Sequence, residues 1–297
     1  MPLVPMKTLL SNALEGGYAV SYCEAWNLES FQAVIQAAVE LRAPVIAGFN
    51  GGFLGSERRD HAERLSEYAG MGLALRDCPV PVSFLLNESD DFAQFQEAIC
   101  LGFNAVMVDN ERVPYEQYRR LVRRVVDLAH ARDVFVEAQV GRLPHGSDLN
   151  GSDAELTDAR LASEFVDQTG VDALAVAVGN VHILTNGSAA VDFASLERIR
   201  DAVKVPLVLH GGTGLPVECL QQAIRLGVAK INFGTVFKQA FLAAVREKLA
   251  AYREPMNPHP FLGMGGPEDV LVAGREAMAA EVKRILLLTG AAGKGGE

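Results

Sequence analysis

The sequence has a single tryptophan, six histidines and four cysteines. Cys23, Cys78, Cys100 and Cys219 are scattered with no Cys-x-x-Cys pair, which argues against a thiolate zinc site and a disulfide framework and leaves buried free thiols as the expectation. Positive charge is also scarce: 27 Lys and Arg face 37 Asp and Glu, a formal net charge of −10. A phosphate-tracking surface would have to be built against that field, so nucleic acid is not an expected partner. No apolar run approaches the roughly 18 residues that span a bilayer. The opening MPLVPMKTLLSNALEGG lacks a long apolar stretch with a small-residue cleavage site. We therefore expect a cytoplasmic protein with no membrane partner. What is abundant is apolar residues, 49% of 297, enough to bury a sizeable core.

Short β-branched runs alternate with amphipathic stretches of helical length almost from end to end. The strand candidates are 18–22, 44–48, 81–85, 105–108, 134–138, 173–177, 206–209 and 230–232. Helical candidates lie at 28–41, 57–69, 91–101, 115–130, 160–169, 194–203 and 217–226, with 236–250 after the last strand. Eight strand–helix units in a chain of this length fit a closed (β/α)8 TIM barrel, an α/β fold, better than an open sheet. A doubly wound sheet would need a glycine fingerprint at the end of its first strand, and that place reads SYCEAW. Two polar insertions, 141–156 and 180–190, have the character of lids or binding loops. The tail from about Pro255 ends in a helical run near 270–287, expected to pack on the barrel or on a neighbouring subunit within a single-domain chain.

In such a barrel every loop that follows a strand opens on one face, so polar residues at strand ends are the first to inspect. His182 follows the sixth strand and His210 the seventh, where neutral imidazoles could share one ion. Glu88, after the third, is the obvious third ligand. Gly211, Gly212 and Thr213, in LVLHGGTG, offer backbone N–H groups and a hydroxyl for an anion, or merely a tight turn. Asn232 and Thr235 flank the start of the last helix of the barrel, where the helix dipole also favours an anion. Trp26 and Phe49 suggest rim packing. The arginines at 119, 120, 123, 124 and 132 suggest a solvated or interfacial face.

At these residues the sequence resembles the class II, metal-dependent fructose- and tagatose-bisphosphate aldolases. The likeness runs through MKTLLSNALEGGYAV, VMVDN, VVDLAHARDVFVEAQVG, DALAVAVGNVH, LVLHGGTGLP and GVAKINFGT to AMAAEVKRILLLTGAAGK. The resemblance implies a TIM barrel, a homodimer or homotetramer, and a divalent metal, usually zinc. Three histidines hold that metal, and it stabilises the enediolate of a small ketose phosphate. His182 and His210 match two of these ligands. The third belongs to a His-Leu-Asp-His-Gly motif that here reads Leu85-Leu86-Asn87-Glu88-Ser89, so the family's acid has become Asn87 and its histidine Glu88.

Further departures follow the same face. The family's Asn after the first strand is Glu24, its Gln-x-Ser is Gly48-Phe49-Asn50, its Asp-Gly-Ser is Asp109-Asn110-Glu111, and its Glu-x-Glu is Glu137-Ala138-Gln139. Beside His182 its Gly is Ile183 and its phosphate-holding Lys aligns near Asn186. The mobile loop's glutamates leave His145 and Asp148 as the nearest titratable groups. Gly211, Gly212, Thr213, Asn232 and Thr235 still match the half-site that receives a phosphate.

Decay of an active site favours small or apolar replacements, whereas Glu24, Glu88 and Glu111 add carboxylates. The expectation is therefore a metal-dependent carbon–carbon lyase on a hydroxy-carbonyl substrate other than fructose 1,6-bisphosphate. His182, His210 and Glu88 hold zinc, manganese or ferrous iron in this reading, Glu111 or Glu24 moves the proton, Asn87 contacts the reacting group, and Asn50 helps bind the small-molecule substrate. An isomerase or epimerase on the same scaffold and a non-catalytic sugar-phosphate-binding relative stay open as alternatives.

Overall fold

Runs of Val, Ile, Leu and Ala form strands buried on both faces, as parallel strands covered by helices must be. A computed structural model describes residues 3–61, 63–109, 113–144, 146 and 155–296. Its eight strands are β1 (Val20–Ala25), β2 (Val45–Asn50), β3 (Val82–Ser89), β4 (Ala105–Val108), β5 (Phe135–Val140), β6 (Ala173–Val176), β7 (Leu207–Leu209) and β8 (Val228–Phe233). They pair in parallel, each with the next and β8 with β1, and so close a barrel. Around it lie α1 (Met6–Gly16), α2 (Leu28–Glu40), α3 (Gly51–Leu54), α4 (Leu65–Gly72), α5 (Phe92–Leu101), α6 (Tyr115–His130), α7 (Ala159–Thr169), α8 (Phe193–Ala202), α9 (Val217–Arg225), α10 (Thr235–Leu249) and α11 (Val270–Leu288). The TIM-barrel expectation holds. No described helix is long and apolar enough to cross a membrane.

Helix α6 shows how the sequence makes the outer layer. Tyr118, Val122, Val125, Val126 and Ala129 are buried along one stripe, and Arg120, Arg123 and Arg124 are exposed on the other face. The Tyr118 hydroxyl accepts from Gln139 N at 2.8 Å and donates to Gln139 O at 2.9 Å, tying the helix to β5. Aspartates begin several helices by accepting backbone N–H groups: Asp91 before α5, Asp158 before α7, Asp192 before α8 and Asp269 before α11.

At the N-terminal end of the barrel Val4 N donates to Val82 O at 2.9 Å, and α1 buries Met6, Leu9, Leu10 and Ala13 near β1 and β8. The opposite end is left to the strand-to-helix loops. Helix α11 packs on α2 and α10. Gly274 permits that approach, since a Cβ there would lie 2.7 Å from the Phe241 ring. Thr289 then binds the barrel: its carbonyl accepts from Ala19 N at 3.0 Å and its hydroxyl lies 3.2 Å from Ser21 Oγ.

Several expectations need correction. Residues 57–64 are too charged to offer an apolar stripe, so the helix placed at 57–69 starts only at Leu65 and passes into a 3-10 turn at Leu73–Asp77. Helix α1 was not foreseen. Phe49 is not at the rim; it is 1% exposed and lies in an aromatic cluster with Phe31, Tyr68 and Phe84. β1, β2 and β3 run on past their apolar cores, so Glu24, Asn50, Asn87 and Glu88 sit within strands rather than after them.

Candidate metal centre

The last residues of β3 leave the regular pairing: the register with β4 shifts between Leu86 and Ser89, and Glu88 takes the left-handed conformation at φ 53°. This turns the Glu88 carboxylate toward the end of β7. Glu88 Oε1 lies 3.2 Å from His210 Nδ1 and 3.7 Å from His182 Nε2, and the two imidazole nitrogens are 3.4 Å apart. One donor atom from each of the three residues falls within 4.8 Å of the others.

The surroundings fix these donors. His210 Nε2 is 2.9 Å from Glu137 Oε1, and Lys230 Nζ is 2.8 Å from Glu137 Oε2, so a buried Lys230–Glu137–His210 chain runs under the site. The Glu137 carboxylate holds Nε2 and leaves Nδ1 facing Glu88 and His182. At 3.2 Å, Nδ1 and the Glu88 oxygen need a proton or a cation between them, and a divalent cation can take the proton's place. The donor set therefore fits a divalent ion, and two imidazoles with one carboxylate suit zinc, manganese or ferrous iron. Asn50 spends both ends of its amide here: Oδ1 accepts from Phe53 N, and Nδ2 donates to Glu88 Oε2 at 2.5 Å. On the far side the two polar loops meet, with Gly146 N donating to His182 O and His182 N to Pro144 O.

Charge is distributed unevenly. Burial alone would raise the Glu88 carboxyl, but the His210 hydrogen bond, both imidazoles and the Asn87 amide hold it far below the usual carboxylate range. Glu137 is likewise buried and pulled low by Lys230 and His210. Burial lowers Lys230, against the pull of Glu137. Glu24 goes the other way: burial raises it more than Lys238 lowers it, and the Glu88 charge adds to the rise.

A cavity of about 460 Å³ opens above these groups. Tyr22, Glu24, Asn50, Asn87, Glu88, His182, Gly211, Thr213, Asn232 and Thr235 all border it. Gly212 is buried behind this wall, where a Cβ would meet Phe233 and Ile231. The Thr213 hydroxyl accepts from Val236 N at 3.3 Å, which joins the glycine turn to the start of α10. Glu111, Asn110, His145 and Asp148 lie outside the described residues. Asn186 is turned to its own backbone and exposed, its Oδ1 accepting from Gly187 N. Ile183, where the resemblance expects glycine, is held at φ 50° and is 45% exposed.

The class II fructose-bisphosphate aldolase family model matches residues 4–294. The chain is 38% identical over 300 residues to the fructose-bisphosphate aldolase of Geobacillus stearothermophilus, covering 99% of each. The chain belongs to the class II fructose-bisphosphate aldolase family. Among solved structures, this family member is similar to the YdjI aldolase of Escherichia coli K12, with a TM-score of 0.81, 30% identity and complete coverage of both chains. The fructose-bisphosphate aldolase of Campylobacter jejuni shares the fold at 21% identity and a TM-score of 0.75, over 99% of this chain and 97% of that one.

Sequence reasoning singled out Glu88, His182 and His210, which the structure brings together, but passed over Lys230, Tyr22 and Lys238. Tyr22 stands two residues before Glu24 on the same strand face, and Lys238 one helical turn after Thr235; that spacing was the available signal.

Proposed function

We propose that the protein is a divalent-metal-dependent carbon–carbon lyase whose substrate is a hydroxy-carbonyl compound other than fructose 1,6-bisphosphate. The convergence of Glu88, His182 and His210 supports the metal-dependent part. A divalent cation, zinc first, supplies Lewis acidity toward the substrate carbonyl when bound there. The remaining roles belong to the chain. Glu137 orients His210 through its far nitrogen. Glu24, a carboxyl at the cavity wall whose pKa burial raises, takes and returns the proton that Asn87 cannot carry; Glu111 is the second candidate for that task. The Gly211 backbone and the Thr213 side chain, at the β7 side of the cavity rather than beside Glu24 on β1, orient one anionic end of the substrate.

Charge supports the choice of substrate. Among the described residues, Glu24, Glu88, Asp90 and Asp109 border the cavity, against one ammonium, Lys238, and the His182 imidazole. A bound dication would not make such a cavity strongly positive, and a bisphosphate brings close to four negative charges. With Asn186 turned away, the site also forgoes a charge-assisted contact worth about 1.5–3 kcal/mol.

Elemental analysis and cleavage assays test the reading together. Purified protein should carry stoichiometric metal, Glu88→Ala should lose it, and cleavage of fructose 1,6-bisphosphate should fall far below a typical enzyme turnover of about 10 s⁻¹. Metal-free protein under saturating zinc, manganese and iron would refute the lyase. Rapid cleavage of the bisphosphate would refute the substrate choice.

A further inference from the structure

The seam where β8 closes on β1 holds polar groups that the metal centre does not use. Tyr22 and Asn232 are direct cross-strand partners there. The Tyr22 hydroxyl is buried, with the residue 1% exposed, and has no hydrogen-bond partner among the described residues. Asn232 Oδ1 accepts from Lys230 Nζ at 2.6 Å, which fixes the amide so that Nδ2 is the other end. That Nδ2 is also buried and, among the described residues, unpartnered. Both residues border the cavity. Leaving such groups without partners in the folded protein is costly, so they point to a ligand that supplies them.

The same seam carries an ion pair. Glu24 Oε1 is 2.5 Å from Lys238 Nζ, and the ammonium lies 4.6 Å from the centre of the Phe53 ring. The other carboxylate oxygen occupies the space a side chain on Gly234 would need, 2.3 Å from an ideal Cβ. Glu24 thus rests against the residue that opens α10, where an anion would otherwise gather.

We infer that the β8–β1 seam is a hydroxyl-binding subsite that takes an uncharged, hydroxylated carbon chain, read by Tyr22, Asn232, Glu24 and Lys238. A hydroxyl can donate to Glu24 and accept from Lys238, the Asn232 amide or the Tyr22 O–H. A phosphate at this place would set its negative charge against the Glu24 carboxylate. An amine would face the Asn232 and Lys238 donors with nothing for them to donate to. The subsite extends the proposed active site and takes its catalytic meaning from that reading.

Equilibrium binding tests it without turnover. Erythritol and inorganic phosphate are titrated, by saturation-transfer NMR, into the full-length protein with and without zinc. Erythritol should bind, and Tyr22→Phe and Lys238→Met should each weaken it about fivefold while thermal unfolding confirms that both variants fold. Glu24→Gln, which removes the charge but keeps the shape, should strengthen phosphate binding about tenfold. No erythritol binding, unchanged affinity in Tyr22→Phe and Lys238→Met, or phosphate binding indifferent to Glu24→Gln would each overturn the subsite. A protein that holds no metal but shows the Tyr22→Phe effect would sink the lyase and leave the subsite standing.

Discussion

Single residues decide how the metal donors are presented. Glu137→Gln keeps the shape beside His210 but removes the charge that fixes the imidazole tautomer, and metal affinity should fall about 10- to 100-fold by competition with a chromophoric chelator. It also leaves Lys230 buried beside a neutral amide, so unfolding in urea should show a loss of about 3 kcal/mol or more. Ile183 makes the opposite case. A β-branched residue at φ 50° is strained by about 1–2 kcal/mol. Because its side chain is half exposed, Ile183→Gly should cost little burial, and its urea midpoint should equal or exceed that of the parent.

At the scale of elements, Asp269 sets the start of α11. Its side chain accepts from Gly263 N at 2.7 Å, Gly265 N at 3.0 Å and Leu271 N at 3.0 Å. Burial would raise this carboxyl, but those backbone donors outweigh it and hold the group below its ordinary value. A carboxyl lowered on folding stabilises the protein above its unfolded pKa of about 3.9 and loses that stabilisation as pH falls through the lower folded value. Asp269→Ala should therefore cost about 1–2 kcal/mol at neutral pH, and the gap from the parent should shrink on acid titration below about pH 4.

The elements were legible in the sequence wherever burial alone shaped them. β4 and α6 match the apolar run at 105–108 and the helical stripe at 115–130 residue for residue. The strands ran long where inward polar residues carry them on, as Asn87, Glu88 and Ser89 do in β3. Periodicity reads hydrophobicity, and there the chain serves the cavity instead. The cluster of Glu88, His182 and His210 could be anticipated because titratable residues at strand ends are conspicuous. Tyr22 was passed over because a phenol inside a strand looks like core, and Lys238 because it looked like an ordinary helix-surface lysine.

For the whole molecule, closure depends on parts far apart in sequence. Besides the Thr289 contacts, Gly293 N donates to Leu41 O at 2.9 Å and Gly295 N to Arg42 O at 2.7 Å. Truncation after residue 268 would strip α11 from α2 and α10 and expose Phe241 and its neighbours. The shortened chain should aggregate or bind a hydrophobic dye, as light scattering and dye fluorescence would register. Helix α11 is also among the last parts of this sequence to emerge during synthesis. Until it leaves the ribosomal tunnel, the nascent barrel carries an unprotected apolar flank beside its first strand, a stretch that a chaperone would be the natural agent to shield.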